Sequence, residues 1–232
     1  MNTIVMKFGG TSVAGTEKIR NIADIVIKEV TNNKIIVVLS AMAGETNKLQ
    51  SFLDDFASQY SLESDLVLTS GEQVTIGLLS AELKNKGIKS IPLLGWQIPI
   101  ITDDSHEKAK ILHIDNKRIE KFFEKNDVIV LAGFQGISLD GEITSLGRGG
   151  SDTTAVAIAS SVGAKRCDIY TDVDGVYTTD PNIDQNAKKI SKMSYEEMLE
   201  MASTGSKVLH TRSVELAMKN NLTLQVLSSL TK

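Results

Sequence analysis

The stretch "TIVMKFGGTSVAG", Thr3–Gly15, decides the fold. Thr3 to Phe8 is a mostly apolar run of strand length, stopped at once by two glycines. From Thr16 the period changes: Ile19, Ile22, Ala23, Val26 and Val30 recur at helical spacing and share one face. Lys34 to Leu39, "KIIVVL", is a second strand-length run and ends in the small residues "SAMAG". Strand, glycine turn, amphipathic helix and strand, in that order, make a βαβ unit with a parallel pair.

Outward from this unit the alternation continues. The pattern predicts helices near 47–58 and 71–86, and strands at 90–94, 127–132, 165–171 and 222–227. "ISLDGEITS", 137–145, carries the hairpin signal Asp140-Gly141. Runs such as "DVIVLA", 127–132, have no polar face, as in a sheet covered by helices on both sides. Internal repeats and low-complexity linkers are absent, and the three prolines mark no boundary. The expectation is one α/β domain over 1–232, with lobes of about 1–150 and about 151–232 sharing one mainly parallel open sheet.

Composition excludes several function classes. At 41% hydrophobic and 23% charged the chain is an ordinary globular protein. A net charge of −4, with Lys and Arg scattered, leaves no footprint for nucleic acid or a membrane surface. The single cysteine, Cys167, sits in an apolar strand and is expected to be a core residue of a reducing compartment. No apolar run is long enough to span a bilayer or to serve as a signal peptide, so the cytoplasm is the expected location.

In open α/β sheets ligands bind beyond the carboxyl ends of the strands. Four unusual segments follow predicted strands: "KFGGTS" at Lys7, "SAMAGETN" at Ser40, "GFQG" at Gly133 and "TDVDGVYTTDP" at Thr171. In the first, small residues let backbone N–H groups approach a phosphate and Lys7 adds a point charge; a tight turn with a solvated lysine reads the same way. In "LGRGGSDTTAVAIA", 146–159, a glycine turn opens a helix whose apolar stripe is Ala155, Ile158, Ala159 and Val162, with Gly163 as its stop. Ser151 is the expected N-cap, and the first-turn amides make a seat for an anion. Arg148 offers a fork for a carboxylate. Asp152 suits a helix N-terminus and could equally hold a nearby lysine. The acidic loop with Asp172, Asp174 and Asp180 lacks the closing glutamate of a calcium loop and shapes either a nucleotide pocket or an ordinary turn. His106, His113 and His210 have no metal spacing and are expected to be structural; no metal-binding residues are assigned. No GxSxG and no Cys/His pair supports hydrolase chemistry.

"KFGGTSV", "LSAMAGETN", "SGEQ", "GFQG", "GRGGSDTTA", "TDVDGVYTTDP" and "GSKVLH" stand in the order and roughly the spacing found in aspartate kinases, so nearly the whole chain resembles that family of the amino-acid kinase superfamily. The resemblance implies a three-layer αβα sandwich around an eight-stranded, mainly parallel sheet. It also implies transfer of a phosphoryl group from ATP to L-aspartate, giving 4-phospho-L-aspartate, with Mg2+ held mainly through the nucleotide phosphates. That reaction opens the route to lysine (through diaminopimelate), threonine and methionine. The N-terminal lobe would take the substrate and the C-terminal lobe the nucleotide. Lys7 and Asp152 would be catalytic, Lys7 stabilising the transferring group and Asp152 orienting Lys7. Ser40, Thr46, Glu72, Phe134, Arg148, Gly149, Gly150 and Ser151 would bind aspartate, with Glu72 on its ammonium and Arg148 on its α-carboxylate. Phe8, Gly9, Gly10, Thr171, Asp172, Asp174, Tyr177, Asp180, Lys207 and Val208, together with Lys7, would bind nucleotide.

Two substitutions depart from the family pattern: Thr211 stands where proline is common, and Asn182 where many relatives have arginine. Family members usually continue into two C-terminal ACT domains, whereas this sequence stops at Lys232. The expectation is therefore a free-standing catalytic unit or a piece of a longer protein, with a homodimer or a separate regulatory subunit as possible assemblies. Two alternatives stand beside the aspartate kinase reading. One is an amino-acid kinase with another carboxylate substrate; the other is a nucleotide-binding, catalytic-like subunit without turnover.

Overall fold

The computed structural model describes residues 1–56, 61–179, 183–205 and 208–230. The opening βαβ unit forms as its periodicity predicts: β1 (Asn2–Phe8), α1 (Thr16–Val30) and β2 (Asn33–Leu39), with Phe8 opposite Leu39 in a parallel ladder. The chain then runs through α2 (Glu45–Asp54), α3 (Ser61–Leu68), α4 (Gly71–Asn85) and β3 (Ser90–Leu93). Next come β4 (Ile100–Thr102), β5 (Ile111–Ile114), α5 (Asn116–Phe123), β6 (Val128–Ala132), β7 (Gln135–Ile137) and β8 (Ile143–Ser145). The remainder is α6 (Gly150–Ser161), β9 (Arg166–Thr171), β10 (Val176–Tyr177), β11 (Lys189–Ile190), α7 (Tyr195–Ser203), α8 (Thr211–Lys219) and β12 (Leu224–Ser228).

The central sheet has the order β12-β9-β1-β2-β6-β3, and every neighbouring pair is parallel. Parallel order puts the carboxyl ends of β1, β2, β6 and β9 on one edge. The four segments singled out in the sequence therefore leave the sheet on the same side. The expected eight strands in one sheet are corrected to six among the described residues. The predicted hairpin forms as β7–β8, but it joins β4 and β5 in a separate sheet of order β5-β4-β7-β8. These short strands bury Thr102 and Thr144, whose hydroxyls bond each other at 2.7 Å. A doubly covered apolar sheet offers those hydroxyls no partner, so the pairing keeps the strands together and apart from the main sheet.

Two cores flank the central sheet and make the three layers. Ile4, Met6 and Phe8 of β1 pack with Ile22 of α1 and with Leu79 and Leu83 of α4. Val5, on the opposite face of β1, packs with Ile36 and Val38 and with α5, α6, α7 and α8. Side chains alternate along a strand, so Lys7 follows Val5 to the α6 side. Helix α6 is buried all round from Thr153 to Ala159, a wider apolar surface than the predicted stripe, because the sheet covers one side and α8 another. No helix among the described residues is long and apolar enough to cross a membrane.

Candidate active site

Beyond the carboxyl edge of the sheet lies a cavity of about 970 Å³, within the range of small-molecule sites. Its depth is set by β1 and α6. Lys7, at the end of β1, meets Asp152 in the first turn of α6, with Nζ 2.6 Å from Oδ1. Both side chains are about seven-eighths buried, at 12% and 13% exposure. The contact is one of charge: it lacks hydrogen-bond alignment, so Oδ1 keeps unused acceptor capacity. Gly9 lies directly beside the ammonium; a Cβ there would stand 3.4 Å from Nζ. The Gly9 N–H is donated to Tyr170 O at 3.4 Å, whereas the Gly10 N–H has no acceptor among the described residues.

Helix α6 is capped two residues earlier than predicted, and Ser151 is not its cap. Gly149 occupies the N-cap with φ 71°, and the Gly150 N–H closes the turn onto Gly147 O at 2.9 Å. The left-handed conformation at 149 demands glycine and leaves no place for a side-chain cap. The amides of Ser151 and Asp152 consequently have no acceptor among the described residues and open onto the cavity edge. The ring of His210 packs beneath the turn, where a Cβ on Gly149 would come within 2.5 Å of His210 Cγ. Gly149→Ala is expected to cost about 2 kcal/mol and to lower the melting temperature by roughly 4–8 °C, readable by differential scanning calorimetry.

The rest of the wall comes from elements far apart in sequence. Ser40 lines it from the β2–α2 connection and Thr46 from the first turn of α2. Phe134, after β6, holds φ 69°, a strained value for a large residue. The Thr154 hydroxyl accepts its N–H at 3.1 Å and its carbonyl accepts from Leu146 N at 2.9 Å, which fixes the ring against Gly150. Arg148 lines the cavity rim, exposed and without an ion pair among the described residues. Glu72, in the first turn of α4, is buried, and its Oε1 accepts the Ala41 N–H at 3.0 Å. Its Oε2 is buried without a partner. Desolvation outweighs the backbone bonds and pushes the Glu72 pKa up to about 8.

Other predicted residues lie elsewhere. The Phe8 side chain is in the opposite core, stacked on Tyr170 with ring centroids 4.4 Å apart. Thr171 ends β9 and its hydroxyl donates to Asp172, and Asp174 is engaged by the Tyr177 hydroxyl at 2.7 Å and by Lys189 at 3.1 Å. None of these lines the cavity, and Val208 packs at the edge of the α6-side core. Asp180, Lys207 and Asn182 lie outside the described residues. No cluster of three or more His, Cys, Asp or Glu suited to a metal occurs among the described residues.

One feature behind the wall carries no mark in the sequence. Asp65 of α3 is fully buried behind the cavity and bonded to His106, to the Glu107 N–H and to Ser145. His106, expected to be merely structural, also meets Glu142 through Nε2 at 3.3 Å. Burial opposes its charged form, but the bonds to Asp65 and Glu142 prevail and raise its pKa.

The amino acid kinase family pattern matches residues 2–228. The aspartokinase of Rickettsia felis is 49% identical over 99% of this chain and 58% of its own length. This chain thus spans a little over half the length of the curated relatives it matches. Among solved structures, aspartate kinase from Synechocystis aligns at a TM-score of 0.86 and 40% identity, over 99% of this chain and 38% of that one. E. coli aspartokinase III in complex with aspartate and ADP aligns at 0.87 and 28% identity, over 98% of this chain and 62% of that one.

Proposed function

This chain belongs to the amino acid kinase family, and on that premise we propose that it transfers the ATP γ-phosphoryl group to the β-carboxylate of L-aspartate. The observation that carries the reading is the joint lining of one cavity. It holds a buried cation, Lys7, and also a complementary pair for an α-amino acid: the free carboxylate oxygen of Glu72 and the free guanidinium of Arg148. Carbamate or a nucleoside monophosphate would have no use for that pair.

The chemistry fits the residues. A hydroxyl acceptor needs a general base, but a carboxylate, which titrates at about 3.9 in water, is already ionised at neutral pH. The work left to the protein is to hold two anions in line and to neutralise charge as the phosphoryl group passes. Lys7 supplies a point charge, and the free amides of Gly10, Ser151 and Asp152 supply dipoles. Asp152 holds the Lys7 ammonium aimed at the transferring group. Arg148 and Glu72 fix the amino-acid backbone of the substrate, with Ser40, Thr46 and Phe134 closing the pocket around its side chain.

In this reading the nucleotide lies toward the β9 side, on the lobe of about 151–232, and the amino acid lies on the lobe of about 1–150. Mg2+ would be held mainly through the phosphates, where it neutralises their charge. The product would feed aspartate-family amino-acid synthesis in the cytoplasm. Support comes from the relatives named aspartokinase and from the aspartate–ADP complex of the E. coli enzyme. The test is trapping of the acyl phosphate with hydroxylamine across an amino-acid panel. Hydroxamate is expected with aspartate and ATP, and not with glutamate; ATP binding without turnover of any carboxylate overturns the reading.

A further inference from the structure

We propose that Asp65 is a positioning residue for the amino-acid end of the cavity, setting the turn that carries Arg148 from behind; the inference rests on the aspartate kinase reading. Asp65 is fully buried on α3 and gathers two other elements onto one carboxylate. Ser145 Oγ donates to it from the end of β8. From the β4–β5 connection, His106 Nδ1 lies 2.8 Å from Oδ2, and the Glu107 N–H donates at 3.0 and 3.2 Å to its two oxygens.

Both elements abut the Arg148 turn. Ser145 leads into Leu146 and Gly147, and its carbonyl accepts the Ala109 N–H at 2.9 Å. The Glu107 carbonyl presses on Gly147 so closely that a Cβ there would stand 2.9 Å away. Glu107 itself is held at φ 64°, a conformation that costs a non-glycine residue free energy and persists only where its surroundings impose it. The Asp65 carboxylate, accepting that residue's N–H, is the group that imposes it. Ser145, Glu107, Gly147 and Arg148 all line the cavity, while Asp65 does not. Asp65 therefore acts through the backbone of Glu107 and through Ser145, not on substrate.

Three measurements on the full chain test this. In Asp65→Asn the KM for aspartate is expected to rise about tenfold, the scale of losing a charged hydrogen bond, with KM for ATP and kcat at saturating aspartate nearly unchanged. Adding Glu107→Gly is expected to recover part of the lost aspartate affinity, because glycine takes φ 64° without help; the melting temperatures of the single and double variants, read alongside, separate this from a general gain in stability. Hydrogen exchange of the Gly150 amide, which closes the turn onto Gly147, is expected to quicken in Asp65→Asn, and this readout needs no turnover. Ser145→Ala, which removes one of the bonds to Asp65 and needs no turnover readout, is expected to quicken Gly150 exchange in the same way should Asp65→Asn fold poorly. An Asp65→Asn chain with wild-type aspartate KM, a double variant no better than the single, or unchanged exchange at Gly150 overturns the proposal. Wild-type protein that makes no aspartyl hydroxamate instead fails the functional reading, and the exchange measurement still decides the role of Asp65 in the turn.

Discussion

Lys7→Ala is expected to lower kcat by on the order of 10³-fold, while the protein stays folded and still binds ATP. The size follows from where the charge sits. The Lys7 side chain is about seven-eighths buried, so its field is poorly screened and its loss cannot be made good by water. Removing it also leaves Asp152 as an uncompensated carboxylate at the place where a phosphoryl group must arrive. Part of the loss is thus new repulsion, and a second variant separates the two parts. Asp152→Ala alone is expected to cost less than Lys7→Ala, because the ammonium remains but is no longer aimed. The double variant is expected to be no worse than Lys7→Ala and somewhat better, since the repelling carboxylate is gone too. Lys7→Arg does not rescue: a planar fork cannot occupy the space of a compact ammonium beside Gly9. Single-turnover hydroxamate kinetics at saturating ATP and aspartate provide the measurement. Strictly additive losses would show that Asp152 does not act through Lys7.

The Lys7–Asp152 pairing was marked in the sequence by resemblance, because the residues alone left Asp152 either a helix-start carboxylate or the holder of a nearby lysine. The glycines of "GRGGSD" announce a helix start and the parallel order of the strands brings it to the edge where Lys7 stands in β1, but only the family pattern paired the two side chains. Where the reading missed, the cause is specific. Ser151 looked like a cap because capping residues are recognised by type, whereas the actual cap depends on φ 71° at Gly149, and glycine is compatible with many turns. Strands β4, β7 and β8 are too short for a period to register, so their separate sheet was invisible. Asp65 carried no local mark at all: its partners lie 41, 42 and 80 residues away, and only the fold brings them together. Glu72 was marked only by resemblance, because the burial that shifts its pKa is a property of the packed α4 and not of "SGEQ".

Glu72→Gln is expected to weaken aspartate binding by at least tenfold at pH 8 and to abolish its pH dependence. In the free protein Glu72 titrates near 8, so at pH 7 about nine-tenths of it is neutral. An ammonium needs the charged form, so binding must expel a proton. Aspartate affinity is expected to rise toward tenfold per pH unit below pH 8 and to level off above it, with nearly one proton released per aspartate at pH 7. Calorimetry in buffers of different ionisation enthalpy counts that proton. The stability of the free protein runs the opposite way. A carboxyl group whose pKa is raised on folding contributes stability that is complete below its unfolded value of 4.5 and is lost as pH climbs through about 8. Between pH 6 and 9 the free chain is therefore expected to lose melting temperature while aspartate restores progressively more of it. Glutamine keeps an oxygen for the Ala41 N–H, so Glu72→Gln should fold, remove the Glu72 share of the melting-temperature slope over that range while the His106 share remains, and release no proton. If wild-type aspartate affinity were level from pH 6 to 9 with no proton released, the buried Oε2 of Glu72 could not be the ammonium site, and the amino-acid end of the cavity would have to be built on other groups.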